Sequence, residues 1–208
     1  FNALHGTFGE DGSIQRILKK LNLSYTHSGI KSSIIAMDKN KSKILFKKLK
    51  IPSPKGRLVD KNIKKIIRTH FDKNSLSFPL VIKPVSEGSS VGVKICKNIN
   101  ELKQYNIRQW TKYLIEEFIP GKELTVGIMN NEVFDVIELK TKKEFYDYKS
   151  KYTKGMTKYI IPAHIPKNIE IKCKKYALKI HKSFKCKGIT RTDFRYYKND
   201  PRKKRLYV

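Results

Sequence analysis

Two periodicities divide this chain. Over residues 12–21, Ile14, Ile17, Leu18 and Leu21 recur at helical spacing behind the turn Gly9-Glu10-Asp11-Gly12, which predicts a helix. A second helix is predicted over 38–49, with Asp38 as N-cap and Pro52 and Pro54 closing the region behind it. Ile63, Ile66 and Ile67 predict an amphipathic turn or two over 61–70. Residues 100–107 predict a short helix, and Ile171, Tyr176, Leu178 and Ile180 a long one over 169–184.

Elsewhere the pattern is that of strands. Residues 78–84 read as a buried strand bounded by prolines, followed by the small-residue loop Ser86-Glu87-Gly88-Ser89-Ser90-Val91-Gly92 and a return strand over 91–95. Strands are predicted over 113–116, 124–129 and 133–139, with Asn130-Asn131 as a hairpin turn, and over 189–197 and 205–208. Residues 140–158 form a polar, Tyr- and Lys-rich connection, and one this long inside a compact domain is usually functional or disordered. The fold class expected is α+β, built mostly from antiparallel hairpins rather than a doubly wound βαβ array.

Composition narrows the functional classes. Of 208 residues, 46 are Lys or Arg and 18 Asp or Glu, for a formal net charge of +28, which would suit a nucleic-acid or membrane-surface binder. Yet 38 of those cations are Lys and only 8 Arg, and base readout and bidentate phosphate clamps favour Arg. With 25 Ile in the same chain, a general Lys/Ile/Asn bias is the simpler account. No apolar run approaches the roughly 20 residues that span a bilayer, and nothing reads as a secretory signal. Cys96, Cys173 and Cys186 are scattered without CxxC spacing, which points to a reducing cytoplasm rather than a disulfide framework or zinc site.

Three segments carry candidate chemistry. Val81-Ile82-Lys83-Pro84 leads into the 86–92 loop, where glycines permit tight turns and successive N–H groups can cradle phosphate oxygens, with Lys83 as a point charge. The Walker pattern GxxxxGK[ST] is absent. Residues 113–123 run from an apolar strand through Glu116, Glu117, Phe118 and Ile119 to Pro120-Gly121 and Glu123; either a cleft wall or a solvated hairpin corner fits. In Gly188-Ile189-Thr190-Arg191-Thr192-Asp193-Phe194, strand alternation puts Arg191 and Asp193 on one face, suited to charge stabilisation beside a metal or to a surface ion pair.

With Asn2-Ala3-Leu4-His5-Gly6, Gly9-Glu10-Asp11-Gly12, Ala36-Met37-Asp38-Lys39 and the Tyr-rich run from Phe145 to Tyr152, these segments closely resemble, in order, the D-alanine–D-alanine ligase family of the ATP-grasp superfamily. The resemblance implies two α+β lobes gripping ATP. The lobes would be a central one over 39–118 and a C-terminal one over 119–208 with a capping loop at 140–158. Residues 1–38 would be the remnant of an N-terminal α/β, Rossmann-like substrate-binding domain. It implies Lys39, Lys83 and Lys151 on the ATP phosphates, with Glu87, Gly88, Ser89 and Ser90 closing over them. Glu116, Glu117, Phe118 and Ile119 would hold adenine and Glu123 the ribose. His5, Gly6 and Glu10 would line the first D-alanine pocket, Tyr146 and Tyr152 would lie on the capping loop, and Ser89 would pair with Tyr152. Arg191 would stabilise developing negative charge, and Asp193 would bind Mg²⁺ (or Mn²⁺).

The implied activity is ATP-dependent ligation of two D-alanines through an acyl phosphate, for peptidoglycan precursors, in a cytoplasmic homodimer. D-lactate or D-serine as second substrate is the alternative, and nucleic-acid binding a remote one; no nucleic acid or membrane partner is expected. The family pattern also starts upstream of Phe1 and places a Glu and an Asn ligand just beyond Val208. Both ends are therefore expected to be cut, and these 208 residues alone to be inactive while the parent protein is a ligase.

Overall fold

A computed structural model of the chain describes residues 2–60, 77–105, 110–141, 153 and 155–208. Three helices open it: α1 (Ser13–Lys20), α2 (Ile30–Met37) and α3 (Lys39–Lys48). Asp38 caps α3 as the sequence predicts, its side chain accepting from the Lys41 N–H, which satisfies one of the orphan donors of the first turn. In α1 the helical spacing holds, but Gln15 is fully buried while Ile17 and Leu21 are 44% and 61% exposed. Helix α2 had no sequence signal because Ser32 and Ser33, not apolar residues, are its buried members.

The first sheet is antiparallel, in the order β1 (Gly56–Asp60), β4 (Lys112–Glu117), β2 (Leu80–Pro84), β3 (Lys94–Cys96), with the one-turn helix α4 (Ile99–Lys103) behind β3. Alternation sends Leu80, Ile82, Tyr113 and Ile115 into one hydrophobic cluster with Val59 and Leu102. Val81, Lys83, Leu114 and Glu116 therefore share the opposite face. Strand β1 escaped the sequence reading; its alternation is confined to five residues, of which Val59 alone is buried.

The second sheet is also antiparallel, in the order β7 (Thr157–Ile160), β6 (Glu132–Thr141), β5 (Lys122–Met129), β8 (Ile189–Tyr196), β9 (Leu206–Tyr207). The β5–β6 turn is Asn130-Asn131, both at positive φ (50° and 72°), the geometry such hairpins require. Helix α5 (Lys167–Ser183) packs Ile169, Cys173 and Ala177 onto Leu124, Val126, Ile128 and Phe194. The predicted 169–184 helix thus starts two residues earlier, behind Pro166, and the 140–158 connection is shorter than read because β6 runs to Thr141 and β7 begins at Thr157. The 61–70 helix and the end of the 100–107 helix fall outside the described residues.

Candidate functional site

Lys83 and Glu116 sit on the sheet face opposite the hydrophobic cluster, diagonal to one another across β2 and β4. Their side chains form an ion pair, and Lys43 of α3 completes it, its Nζ 3.0 Å from the second Glu116 oxygen and 2.5 Å from the Pro54 carbonyl. Burial pushes the Glu116 carboxyl up, but Lys83 and then Lys43 outweigh it and hold the group below its ordinary value. Gly56 of β1 lies opposite, where a Cβ would stand 2.7 Å from that of Glu116, so only glycine leaves this carboxylate its space. Lys43 went unnoticed in the sequence, yet it stands four residues after Lys39 on α3, and that spacing puts both on one helix face.

Lys39 has a different environment. Its Nζ donates to the carbonyls of Glu87 (2.5 Å) and Val85 (3.5 Å), and its backbone N–H also meets the Val85 carbonyl at 3.0 Å. Burial, with Lys83 nearby, lowers its pKa from 10.5 to about 8. The 86–92 loop it touches is wound through left-handed residues, Ser89 (φ 50°), Ser90 (φ 61°) and Gly92 (φ 67°). Left-handed conformations cost a non-glycine residue on the order of 1 kcal/mol each, and such strain collects where a loop must present its backbone to a ligand.

The loop tip rests on the N-terminal segment. A Cβ on Gly88 would lie 3.1 Å from Gly6 Cα and 3.7 Å from Glu10 Oε2, while Glu10 itself accepts from the Gly6 N–H at 2.5 Å. Thr7 Oγ1 reaches Glu87 Oε2 at 3.5 Å, and the other Glu87 oxygen accepts from Trp110 Nε1 at 2.8 Å. His5 is exposed beside Gly6.

The 116–123 corner divides its carboxylates. Glu117 takes both oxygens to Arg202 Nη1 (2.7 Å each) and one to the Lys55 N–H (2.7 Å). Its side chain is a strut, and its backbone N–H is also taken, donating to the Lys55 carbonyl at 2.9 Å. Glu123 pairs with Arg195 at 3.2 Å; Arg195 also donates to the carbonyls of Ile119 and Gly121 (both 3.0 Å) and lies over the Phe118 ring. Burial lowers the Arg195 pKa, with Glu123 opposing. Alternation along β8 that pairs Arg191 with Asp193 extends to Arg195, so the pattern contained it. Arg202 sits in a turn, where no period could mark it.

Arg191 and Asp193 do share a face. Arg191 Nε lies 3.0 Å and Nη2 3.1 Å from the carboxylate, whose Oδ1 also accepts from Thr125 Oγ1 at 2.7 Å. Both side chains are well exposed. Among the described residues no group of three or more His, Cys, Asp or Glu could hold a metal ion, so Asp193 does not stand in a complete ligand cluster there. Tyr146, Lys151 and Tyr152 lie outside the described residues. A cavity of about 650 Å³, lined by Tyr25, His27, Lys31, Met129 and Lys187 among others, contains none of the candidate residues.

Two antiparallel sheets, a strand lysine feeding a strained glycine loop, and a charged corner between the sheets define an ATP-grasp protein. The solved structure of D-alanine–D-alanine ligase from Bacillus anthracis superposes with a TM-score of 0.79 at 32% identity, over 99% of this chain and 66% of that one. A second structure of the Bacillus anthracis ligase, complexed with ATP, gives 0.78 at 30% identity over 99% of this chain and 64% of that one. The VanG D-Ala:D-Ser ligase of Enterococcus faecalis also gives 0.78, at 30% identity over 94% and 58%. The family model described as D-ala D-ala ligase C-terminus matches residues 45–202. The D-alanine–D-alanine ligase of Pelagibacter ubique is 46% identical over 199 residues, 95% of this chain and 66% of its own length. The chain belongs to the D-alanine–D-alanine ligase family, and it spans just under two thirds of the length of such relatives.

Proposed function

We propose that the protein carrying this sequence is an ATP-dependent ligase that joins two D-alanines. The observation that carries the reading is the contact between Gly88 and the Gly6–Glu10 turn. A phosphate-cradling loop there abuts the segment expected to hold the first amino acid, which sets a phosphoryl donor beside an acyl acceptor. Lys39, Lys83 and the loop N–H groups bind and orient the triphosphate. The main chain at 117–119, braced by Arg202 and Arg195, meets the purine, and Glu123 the ribose.

The γ-phosphoryl passes to the carboxylate of the first D-alanine, the amine of the second attacks the acyl phosphate, and phosphate leaves. Such transfer depends on positioning and charge neutralisation, which suits lysines and Arg191 better than a nucleophile. A bound magnesium ion would neutralise phosphate charge, and Asp193 would contribute one ligand to it. Water must be kept from the acyl phosphate, and the 140–158 segment is the candidate cap. The reading extends to peptidoglycan precursor synthesis in the cytoplasm by a homodimer, with D-alanine and ATP as ligands.

The test is phosphate release and D-alanyl-D-alanine formation with ATP, magnesium and D-alanine, followed by mass spectrometry with D-lactate and D-serine in competition. D-alanine-dependent phosphate release with a dipeptide product is expected. ATP turnover without that product, or preferential incorporation of a competitor, would overturn the second-substrate assignment.

A further inference from the structure

The glycine loop is held from an unexpected quarter. Trp110, the chain's single tryptophan, stands just before β4 and its indole Nε1 donates to Glu87 Oε1 at 2.8 Å. The same ring fills the space beside Gly92 at the far end of the loop. A Cβ there would come within 2.6 Å of the indole and 2.8 Å of Pro84, and the backbone is left-handed besides. The ring in turn is fixed from below. It packs edge-on to Tyr113 at 6.1 Å, its backbone N–H donates to the Tyr113 hydroxyl at 3.0 Å, and Tyr113 is fully buried in the first sheet's core. Tyr105, also edge-on to Tyr113, donates to the Gly92 carbonyl at 2.5 Å.

Glu87 is thus held at its carbonyl by Lys39 and at its carboxylate by Trp110, with Thr7 on the other carboxylate oxygen at 3.5 Å. Both grips bear on the loop entrance, while the indole face bears on the exit at Gly92. We infer that Trp110 is a positioning residue for phosphate binding: it fixes both ends of the 86–92 loop to the core of the first sheet so that the N–H groups between them converge on the triphosphate. The inference rests on the ATP reading above and adds a residue that the candidate-site pattern lacked. An aromatic next to a Thr and a Lys in an irregular stretch has no period to mark it.

Because the indole bonds Glu87 and packs on Gly92, a triphosphate taken up between those fixed ends changes its surroundings, so ATP binding becomes visible in Trp110. The experiment titrates the chain with ATP and magnesium, following emission excited at 295 nm, acrylamide quenching of Trp110, and binding by calorimetry in parallel. Expected are an emission shift and reduced quenching that saturate at the calorimetric Kd. Trp110→Phe keeps a ring against Gly92 but removes the N–H donor. Loss of one hydrogen bond to a carboxylate should weaken ATP binding by about tenfold, with the urea midpoint little changed. Calorimetric binding with no change in emission or quenching overturns the inference and leaves the ATP reading standing, as does Trp110→Phe binding ATP as tightly as wild type. Absence of calorimetric binding by the wild-type chain overturns both. Should Trp110→Phe fail to fold, the wild-type emission and quenching decide the matter.

Discussion

The two sheets each carry a carboxylate paired with cations, and the pairs differ in depth. Glu116 lies buried on the first sheet between Lys43 and Lys83, with Gly56 making room for it. Asp193 lies on the second sheet beside Arg191, open to solvent. A carboxylate about 3 Å from a cation therefore means different things in the two places. A buried carboxylate between two lysines is a structural keystone, because it has itself lost its water and removing its charge would leave both partly buried cations unpaired. An exposed pair contributes little to folding and remains available to a ligand. In this chain the first arrangement pre-organises charge for an anion, while the second keeps charge accessible.

The largest test of that contrast is Glu116→Gln. It leaves the partly buried Lys43 and Lys83 together without their buried counter-charge, and breaking such a pair costs about 3–5 kcal/mol. Urea unfolding should show the midpoint fall accordingly. A loss below about 1 kcal/mol, within the range of exposed pairs, would erase the distinction between the sheets.

Asp200 asks whether depth, rather than membership of one sheet, is what matters. It sits in the β8–β9 turn with its side chain fully buried, accepting from the Tyr207 hydroxyl at 2.7 Å, the Arg205 N–H at 2.9 Å and the Arg202 N–H at 3.2 Å. Burial alone would raise this carboxyl, but the Tyr207 hydroxyl and those backbone donors hold it far below its ordinary 3.8. A depressed folded-state pKa contributes stability that is complete above the unfolded value and is lost as pH falls below about 4. Asp200→Asn should cost about 2 kcal/mol at neutral pH and flatten the acid limb of a stability–pH profile. An unchanged acid limb would show that the network draws nothing from the charge.

How much of this was legible beforehand follows the same line of depth and regularity. The β5–β6 hairpin, the shared face of Arg191 and Asp193 and the Asp38 cap were readable because a two-residue period, a turn dipeptide and a capping residue are local signals. Helix α2 was not, since its buried members are serines: Ser32 donates to the Lys185 carbonyl at 2.9 Å and Ser33 to the Ser28 carbonyl at 3.4 Å. In α1 the apolar spacing marked a helix but not its buried side, which carries Gln15 bonded to the Gly9 carbonyl. The groups that brace the site, Trp110, Arg202 and Asp200, sit in turns and irregular stretches. Their partners are fixed by tertiary approach, for example 85 positions away for Arg202 and Glu117, and no period reports such distances.

Lys39 extends the comparison to a partly buried cation whose hydrogen bonds go to carbonyls. With its pKa lowered to about 8 against 10.5 unfolded, the folded chain releases this proton first. Its charged form therefore costs stability below pH 8, and that cost is relieved as pH rises from 8 towards 10.5. ATP binding runs the other way. A triphosphate beside Lys39 favours the ammonium, so affinity should be flat below pH 8 and fall above it by up to about tenfold per pH unit. Calorimetry in buffers of differing ionisation enthalpy should register proton uptake at pH 8.5, and Lys39→Met should abolish it. A proton-neutral wild-type titration would place Lys39 away from the phosphates.

The smallest effect on folding belongs to Asp193, and its smallness is informative. Asp193→Asn removes the charge that meets Arg191 but keeps an acceptor for Thr125 and leaves the β5–β8 ladder intact. Exposed pairs are worth about 0–1 kcal/mol, so the urea midpoint should move by no more than that. If the proposed ligase reading holds, the same substitution should sharply lower turnover in the protein carrying this sequence, because the proposed metal ligand and the partner that orients Arg191 are lost together. A stability loss above about 2 kcal/mol with turnover retained would recast Asp193 as a second Glu116, a buttress rather than a reactive group. Stability and activity are thus expected to separate at the exposed pair and to fall together at the buried one, because only there is the charge that would meet a phosphate also part of what holds the sheet to α3.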